Sequence, residues 1–206
     1  MAHIPDGILS LPVLVGGGVI AGGGLLLSLR SLDETTIPKT AIFSAVFFAA
    51  SLIAIPVGPS SVHLLLAGLM GLVIGPLVIP AVLVGLVLQL VMFGFGGLTT
   101  LGVNTVNIAF PGMLLAAMAA PLIARANPTT GALLAGAVGG LSVLVTGGLV
   151  ALSLALSSSD YVPSARILLV TYIPLMIGEA VITGVAVGFV RRVKPELMMQ
   201  RLGGAQ

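Results

Sequence analysis

The chain is built of long apolar runs separated by short polar joints. The runs fall at about 10–29, 40–57, 62–76, 77–95, 105–125, 130–156 and 165–190. Each lies near the ~20 residues that a helix needs to cross the hydrocarbon core of a bilayer. The pattern predicts an all-α integral membrane protein, a single domain over residues 1–206. The architecture expected is a compact bundle of seven transmembrane helices, with the N-terminal segment, residues 1–9, folded back into the bundle on the outer side.

The 62–95 stretch has two readings. Gly75-Pro76 and Pro80 fit either a tight turn between two short spans or a kink in one. Basic residues decide between them. With seven spans and the N-terminus outside, Arg30, Lys39, Arg125, Arg191, Arg192, Lys194 and Arg201 all lie on the cytoplasmic side, and only Arg166 lies outside. With six spans, five of the eight basic residues are exported. The positive-inside bias favours seven, with the C-terminus cytoplasmic.

Composition agrees that the solvent is lipid. Hydrophobic residues make up 58% of the chain and charged ones only 7%, too few charges to cover a water-soluble core. The 28 glycines suit close helix–helix approach, which small residues permit where no hydrophobic effect drives association. Gly16-Gly17-Gly18 and Gly22-Gly23-Gly24 sit inside the first span at small-xxx-small spacing, and read chiefly as helix packing. Pro111 and Pro174 lie inside apolar runs, where neighbouring helices can satisfy the freed carbonyls. There are no cysteines, which excludes disulfides and thiolate chemistry. The basic residues are scattered at segment ends, so the net charge of +2 gives no sign of a nucleic-acid partner. No GxxxxGK[ST] loop is present and no joint is long enough for an ATPase domain. The start does not read as a secretory signal, since Pro5 and Asp6 precede the apolar run.

The candidate chemistry sits in the few polar residues. The chain opens Met1-Ala2-His3-Ile4-Pro5-Asp6-Gly7. A histidine this close to a free amine can offer a metal its imidazole, the intervening amide nitrogens and the amine together. Several nitrogens in one plane suit nickel or copper and can be adapted to cobalt. The only other histidine is His63, which the topology places on the same side. It is expected to begin the third span, with Ala67, Met70, Gly71 and Ile74 below it on one helical face. Pro5-Asp6-Gly7 reads as a turn, with Asp6 as a cap or turn former rather than a ligand.

Glu179 lies mid-run in the last span. A carboxylate there is expensive and should face the bundle interior, with Tyr172, Asn104 or Asn107 as candidate partners. It reads as a structural hydrogen-bonded carboxyl or as a member of the metal path. The glycine- and amide-rich stretch 94–107 reads as a wall or lid of the site, since polar backbone at this depth is allowed where it lines a cavity. Asn104 and Asn107 are three residues apart and so share a face if helical. Asn104, Asn107 and Glu179 are the expected surroundings of the site.

His-Ile-Pro-Asp-Gly at 3–7, Ser-Val-His-Leu-Leu-Leu-Ala-Gly at 61–68, Phe-Gly-Phe-Gly-Gly-Leu-Thr-Thr-Leu-Gly-Val-Asn at 93–104 and Ile-Pro-Leu-Met-Ile-Gly-Glu-Ala-Val-Ile-Thr-Gly at 173–184 resemble the CbiM/NikM family. These are the membrane-embedded substrate-binding (S) components of energy-coupling-factor (ECF) transporters for cobalt and nickel. The resemblance implies a transported Co2+ or Ni2+ rather than a cofactor, held by a terminal amine, the backbone nitrogen and ring of the first histidine, and a third-span histidine. Here those are the amine of the residue before His3, His3 itself, and His63. It also implies a transmembrane coupling (T) subunit, ATPase subunits and a small accessory membrane subunit as partners, in a prokaryotic plasma (inner) membrane.

Two departures stand out. The family pattern places histidine directly after the initiator methionine, whereas here Ala2 intervenes. Many relatives have a histidine where this chain has Phe95. The first departure has a chemical resolution: a small residue at position 2 favours removal of Met1, leaving Ala2 to supply the amine. If Met1 is retained, Met1-Ala2-His3 offers four nitrogens unaided. A stand-alone metal permease or channel is the alternative reading. A membrane metalloenzyme is disfavoured, because it needs an open coordination position and an HExxH-like pairing, and the chain has no such pairing. Deprotonated amide ligation in a plane favours nickel on intrinsic affinity, but cobalt-type members of the family share the same motif, so both metals stay open.

Overall fold

The computed structural model describes residues 3–53, 55–57 and 60–194. Its elements are α1 (Leu11–Leu29), α2 (Thr36–Ser51), a hairpin of β1 (Ile55–Val57) and β2 (Ser60–Val62), α3 (Ala67–Ile74), a 3-10 turn Gly75–Leu77, α4 (Val78–Phe93), α5 (Leu101–Arg125), α6 (Pro128–Ser157), a 3-10 turn Ser159–Tyr161 and α7 (Val162–Val193). Local chemistry sets several of these boundaries. Asn127 Oδ1 accepts from Thr130 N–H at 2.8 Å with Pro128 at the first position of α6, a cap-and-proline start that leaves few orphan donors. Asp33 Oδ1 accepts from the N–H groups of Thr35 and Thr36, both at 2.8 Å, and so caps α2. Gly94 closes α4 at φ 67°, the left-handed stop that glycine adopts without a Cβ clash.

The polarity of the bundle is inverted relative to a water-soluble fold. Val91, Met118, Leu133 and Phe189 lie exposed on the outside, whereas Gln89, Asn104, Thr146, Glu179 and Thr183 are buried inside. Such a surface is stable only against lipid. Among the described residues, five helical stretches are long and apolar enough to cross a membrane: Leu11–Leu29, Ala67–Phe93, Leu101–Arg125, Pro128–Ser157 and Ser159–Val193. The shorter apolar helix α2 joins them. The chain is a multi-pass membrane protein, all-helical apart from the small hairpin.

Two elements differ from the sequence expectation. The run 62–76 is helical only over α3, 8 residues or about 12 Å at the α-helical rise, and Gly75 (φ 55°) with the 3-10 turn separates it from α4. The run 40–57 also ends early. Helix α2 stops at Ser51, and residues 55–57 pair antiparallel with 60–62. Pro56 and Pro59 explain the break, because neither can donate to a continuing helix.

Small residues bring the helices together. A Cβ on Gly17 would collide with Val103, and one on Gly24 with Phe110, so α1 and α5 run alongside in the same direction. Gly16, Gly22 and Gly23 meet nothing within 4 Å, so only part of each glycine triplet serves this packing. Gly71 and Gly112 lie against each other's helices where α3 crosses α5, and Gly68 lies against Gly139 of α6. Helices α6 and α7 meet through Gly136, Gly139 and Gly140 on one side and Ala180, Thr183 and Met176 on the other. The far end of α7 is tied down as well, since Arg191 donates to the Ala126 carbonyl at 2.7 Å.

Candidate metal site

His3 and His63 meet inside the bundle. Their Nε2 atoms lie 3.0 Å apart, and their rings stack with centroids 5.0 Å apart and an interplanar angle of 18°. The two residues are only 6% and 3% exposed. His63 Nδ1 lies 3.0 Å from the Leu64 carbonyl, so the hydrogen-bond partner assigns the proton to Nδ1 and leaves a lone pair on Nε2. That is the orientation in which a neighbouring carbonyl prepares an imidazole to ligate a metal. His3 Nε2–H can then donate to His63, while His3 Nδ1 is buried with no hydrogen-bond partner among the described residues. Burial of the His3 ring, with His63 beside it, lowers its pKa to about 3. The ring is therefore neutral at physiological pH and both rings keep a lone pair.

Three polar anchors place His3. Thr100 Oγ1 donates to the Ile4 carbonyl at 2.7 Å, and Asn104 pairs with the Ile4 backbone in both directions. Asp6 caps the entry to α5. Its carboxylate accepts from the N–H groups of Leu98, Thr99 and Thr100 at 3.0, 2.9 and 3.3 Å, and from the Thr99 hydroxyl. These bonds, the Thr99 hydroxyl foremost, hold the Asp6 pKa below its ordinary value. Asp6 therefore works as a cap. Gly97 must be glycine here, because a Cβ would collide with the Asp6 carboxylate. Gly96, at φ 81°, brings the 94–97 loop past Asn104 and the His3 Cβ.

The other candidates are distributed differently. Met1 and Ala2 lie outside the described residues. Asn107 donates to Ser153 Oγ at 3.4 Å, so it ties α5 to α6 instead of facing the histidines. Glu179 is fully buried, but its partners are none of Tyr172, Asn104 and Asn107. Its Oε1 accepts from the backbone N–H groups of Leu65 and Leu66 at 2.5 and 2.7 Å. His63 itself does not begin a helix. Residues 63–66 are irregular, because Leu66 is left-handed (φ 54°) and α3 starts only at Ala67.

No group of three or more His, Cys, Asp or Glu side chains able to hold a metal occurs among the described residues. An ion at the histidine pair would therefore find no third donor in a described His, Cys, Asp or Glu side chain. Sequence reading passed over several buried polar groups, Ser44, Thr146 and Gln89 among them. Gln89 is wholly buried on α4 with neither amide atom paired. The available signal was its place as the one polar side chain in the run Val78–Phe93.

Residues 3–197 match the model of the family described as CbiM, cobalt uptake substrate-specific transmembrane region. The chain belongs to the CbiM family. A Haemophilus influenzae protein named for metal transport is 36% identical over 200 residues, covering 95% of this chain and 96% of the relative. The cobalt transport protein CbiM of Kyrpidia tusciae is 29% identical over 218 residues, with 97% and 87% covered. A crystal structure of a transition metal transporter superposes with a TM-score of 0.81 at 23% identity, covering 98% of this CbiM-family chain and all of the other. At that identity the likeness speaks for the fold alone.

Proposed function

We propose that this chain is the substrate-binding membrane component of an ATP-driven ECF-type system that takes up Co2+ or Ni2+. The observation that carries the reading is the His3–His63 pair, two buried imidazoles 60 residues apart in sequence that meet at Nε2. Two neutral rings alone make an incomplete site for a transition metal. The missing donors are at hand in the chain leading into His3: its own amide nitrogen and the terminal amine of Ala2, or of Met1 where it is retained. Chelation together with its own backbone amide uses His3 Nδ1, the nitrogen without a partner. The family membership and the names of the relatives favour cobalt and nickel. Partner T and ATPase subunits are part of the proposal, because the sequence carries no phosphate-binding loop.

The seven-pass topology belongs to the same proposal. The parallel run of α1 with α5 supports it. So does the short helix α3, which with the irregular residues 63–66 makes one crossing. On this path the histidine pair lies at the outer face and Lys194 at the cytoplasmic one. Reporter fusions after Lys194 that read as external would overturn the orientation.

The functional test is metal binding by purified protein with a native N-terminus, titrated with nickel sulfate and cobalt chloride, followed by uptake in cells with and without the partner ATPase. Tight binding with ATPase-dependent uptake supports the reading. Uptake by this chain alone would favour the stand-alone permease instead.

A further inference from the structure

The strap that carries His63 is anchored at one atom. Leu65 and Leu66 are both buried, in a stretch that belongs to no helix or strand. Buried backbone donors require partners, and both N–H groups find the same one, Glu179 Oε1. Leu66 is the one non-glycine residue with positive φ among the described residues. A leucine stays in that region only when its surroundings over-determine it. Here the surroundings are the carboxylate on α7. His63 in turn is tied to the strap by its Nδ1 contact with the Leu64 carbonyl. The chain of contacts runs from Glu179 to the strap, to the His63 ring, and to His3.

Helix α7 is well suited to transmit a displacement. It is a single helix of 32 residues that meets the strap at Glu179 and, about three turns on, contacts the α5–α6 turn through Arg191. Around Glu179 it packs closely on the glycines of α6, so the two helices can move together.

We infer that Glu179 is a positioning residue of the metal site, and that release proceeds by parting of its two hydrogen bonds to the strap. Loss of that clasp lets Leu66 leave the left-handed region and withdraws His63 from His3. The inference rests on the proposed metal-binding function and deepens it, by naming the element that sets the His3–His63 distance. Only Oε1 is engaged; Oε2 has no hydrogen-bond partner among the described residues. The role therefore needs an acceptor at this reach from α7 rather than a negative charge.

Two variants of the full chain separate reach from charge. Glu179→Gln keeps the reach and an acceptor oxygen but removes the charge. Glu179→Asp keeps the charge but falls one methylene short. Nickel association and dissociation rates are measured by stopped flow, together with the absorption band of the bound ion. The expected result is wild-type-like dissociation in Glu179→Gln. Glu179→Asp should dissociate about tenfold or more faster, the usual scale for losing support behind a ligating histidine, with association little changed and an altered band. Equal loss in both variants, no loss in either, or loss in Gln alone overturns the inference. Failure of the wild-type protein to bind nickel or cobalt at all would instead overturn the proposed function beneath it. Should Glu179→Asp not fold, a wild-type-like Glu179→Leu, which has no acceptor, would overturn the inference equally, and rapid release from it would sustain the inference.

Discussion

Asn104 holds Ile4 from both sides: its Oδ1 accepts from the Ile4 N–H at 3.0 Å, and its Nδ2 donates to the Ile4 carbonyl at 3.1 Å. A side-chain amide here imitates a neighbouring strand and fixes the residue next to His3. Asn104→Ala should leave helix content unchanged, because the Asn104 side chain takes no part in the backbone bonds of α5. It should weaken metal binding about tenfold, as loss of outer support does elsewhere. Circular dichroism and nickel titration on the same sample check this. An unchanged affinity would mean that the N-terminal segment finds its place without Asn104.

The terminus itself should matter as much as the side chains. His3→Ala and His63→Ala are each expected to abolish tight binding, since each removes a nitrogen from a set that no other described His, Cys, Asp or Glu side chain completes. An N-terminal tag should do the same while folding normally, and a C-terminal tag should be harmless. If mass spectrometry shows Met1 retained, binding should survive His63→Ala, because four nitrogens then precede or belong to His3. Tight binding by an N-terminally blocked protein would refute both ligand sets.

Acid should undock the N-terminal segment before it melts the helices. The docked His3 ring titrates at about 3, against an ordinary value of 6.5. Between those values the undocked state binds more protons. Docking therefore weakens as the pH falls below 6.5, by up to about 1.4 kcal/mol per pH unit, and this ring adds no dependence above that. Asp6, whose pKa is depressed, acts in the same direction. Its contribution is lost as the pH falls through its docked value. The protection factor of the Ile4 amide, followed by hydrogen exchange in metal-free protein, should fall between pH 7 and pH 4. A constant protection factor would show that the ring stays docked when protonated.

Two glycine substitutions should behave in opposite ways. A Cβ on Gly112 would collide with the Ala67 backbone, whereas one on Gly16 meets nothing within 4 Å. Gly112→Ala should destabilise the α3–α5 crossing by about 1–3 kcal/mol, the range for overpacking. Gly16→Ala should be neutral or slightly stabilising through helix propensity. Thermal unfolding in detergent compares the two; equal melting temperatures would contradict the packing described.

Much of this protein was legible in its sequence. The apolar runs and sparse charges identify a helical membrane bundle, because backbone polar groups in lipid have to be satisfied within each segment. The positions of His3 and His63 mark the candidate chemistry, since the chain has no other histidines and no cysteines. Asp6, read as a cap or turn former, caps the entry to α5.

Tertiary structure decided what happens after His63. Periodicity favoured a helix from that residue onward, because every following position is apolar or small. The helix is delayed to Ala67 by a carboxylate 113 residues away that captures the Leu66 N–H group. The same carboxylate was expected to pair with Tyr172 or an asparagine, and Asn107 to face the site with Asn104. A shared helical face says which side of a helix a residue occupies, but not which of several neighbours meets it there. Such long-range pairings leave no trace in local pattern, because buried backbone groups take whichever acceptor the packed bundle brings within reach.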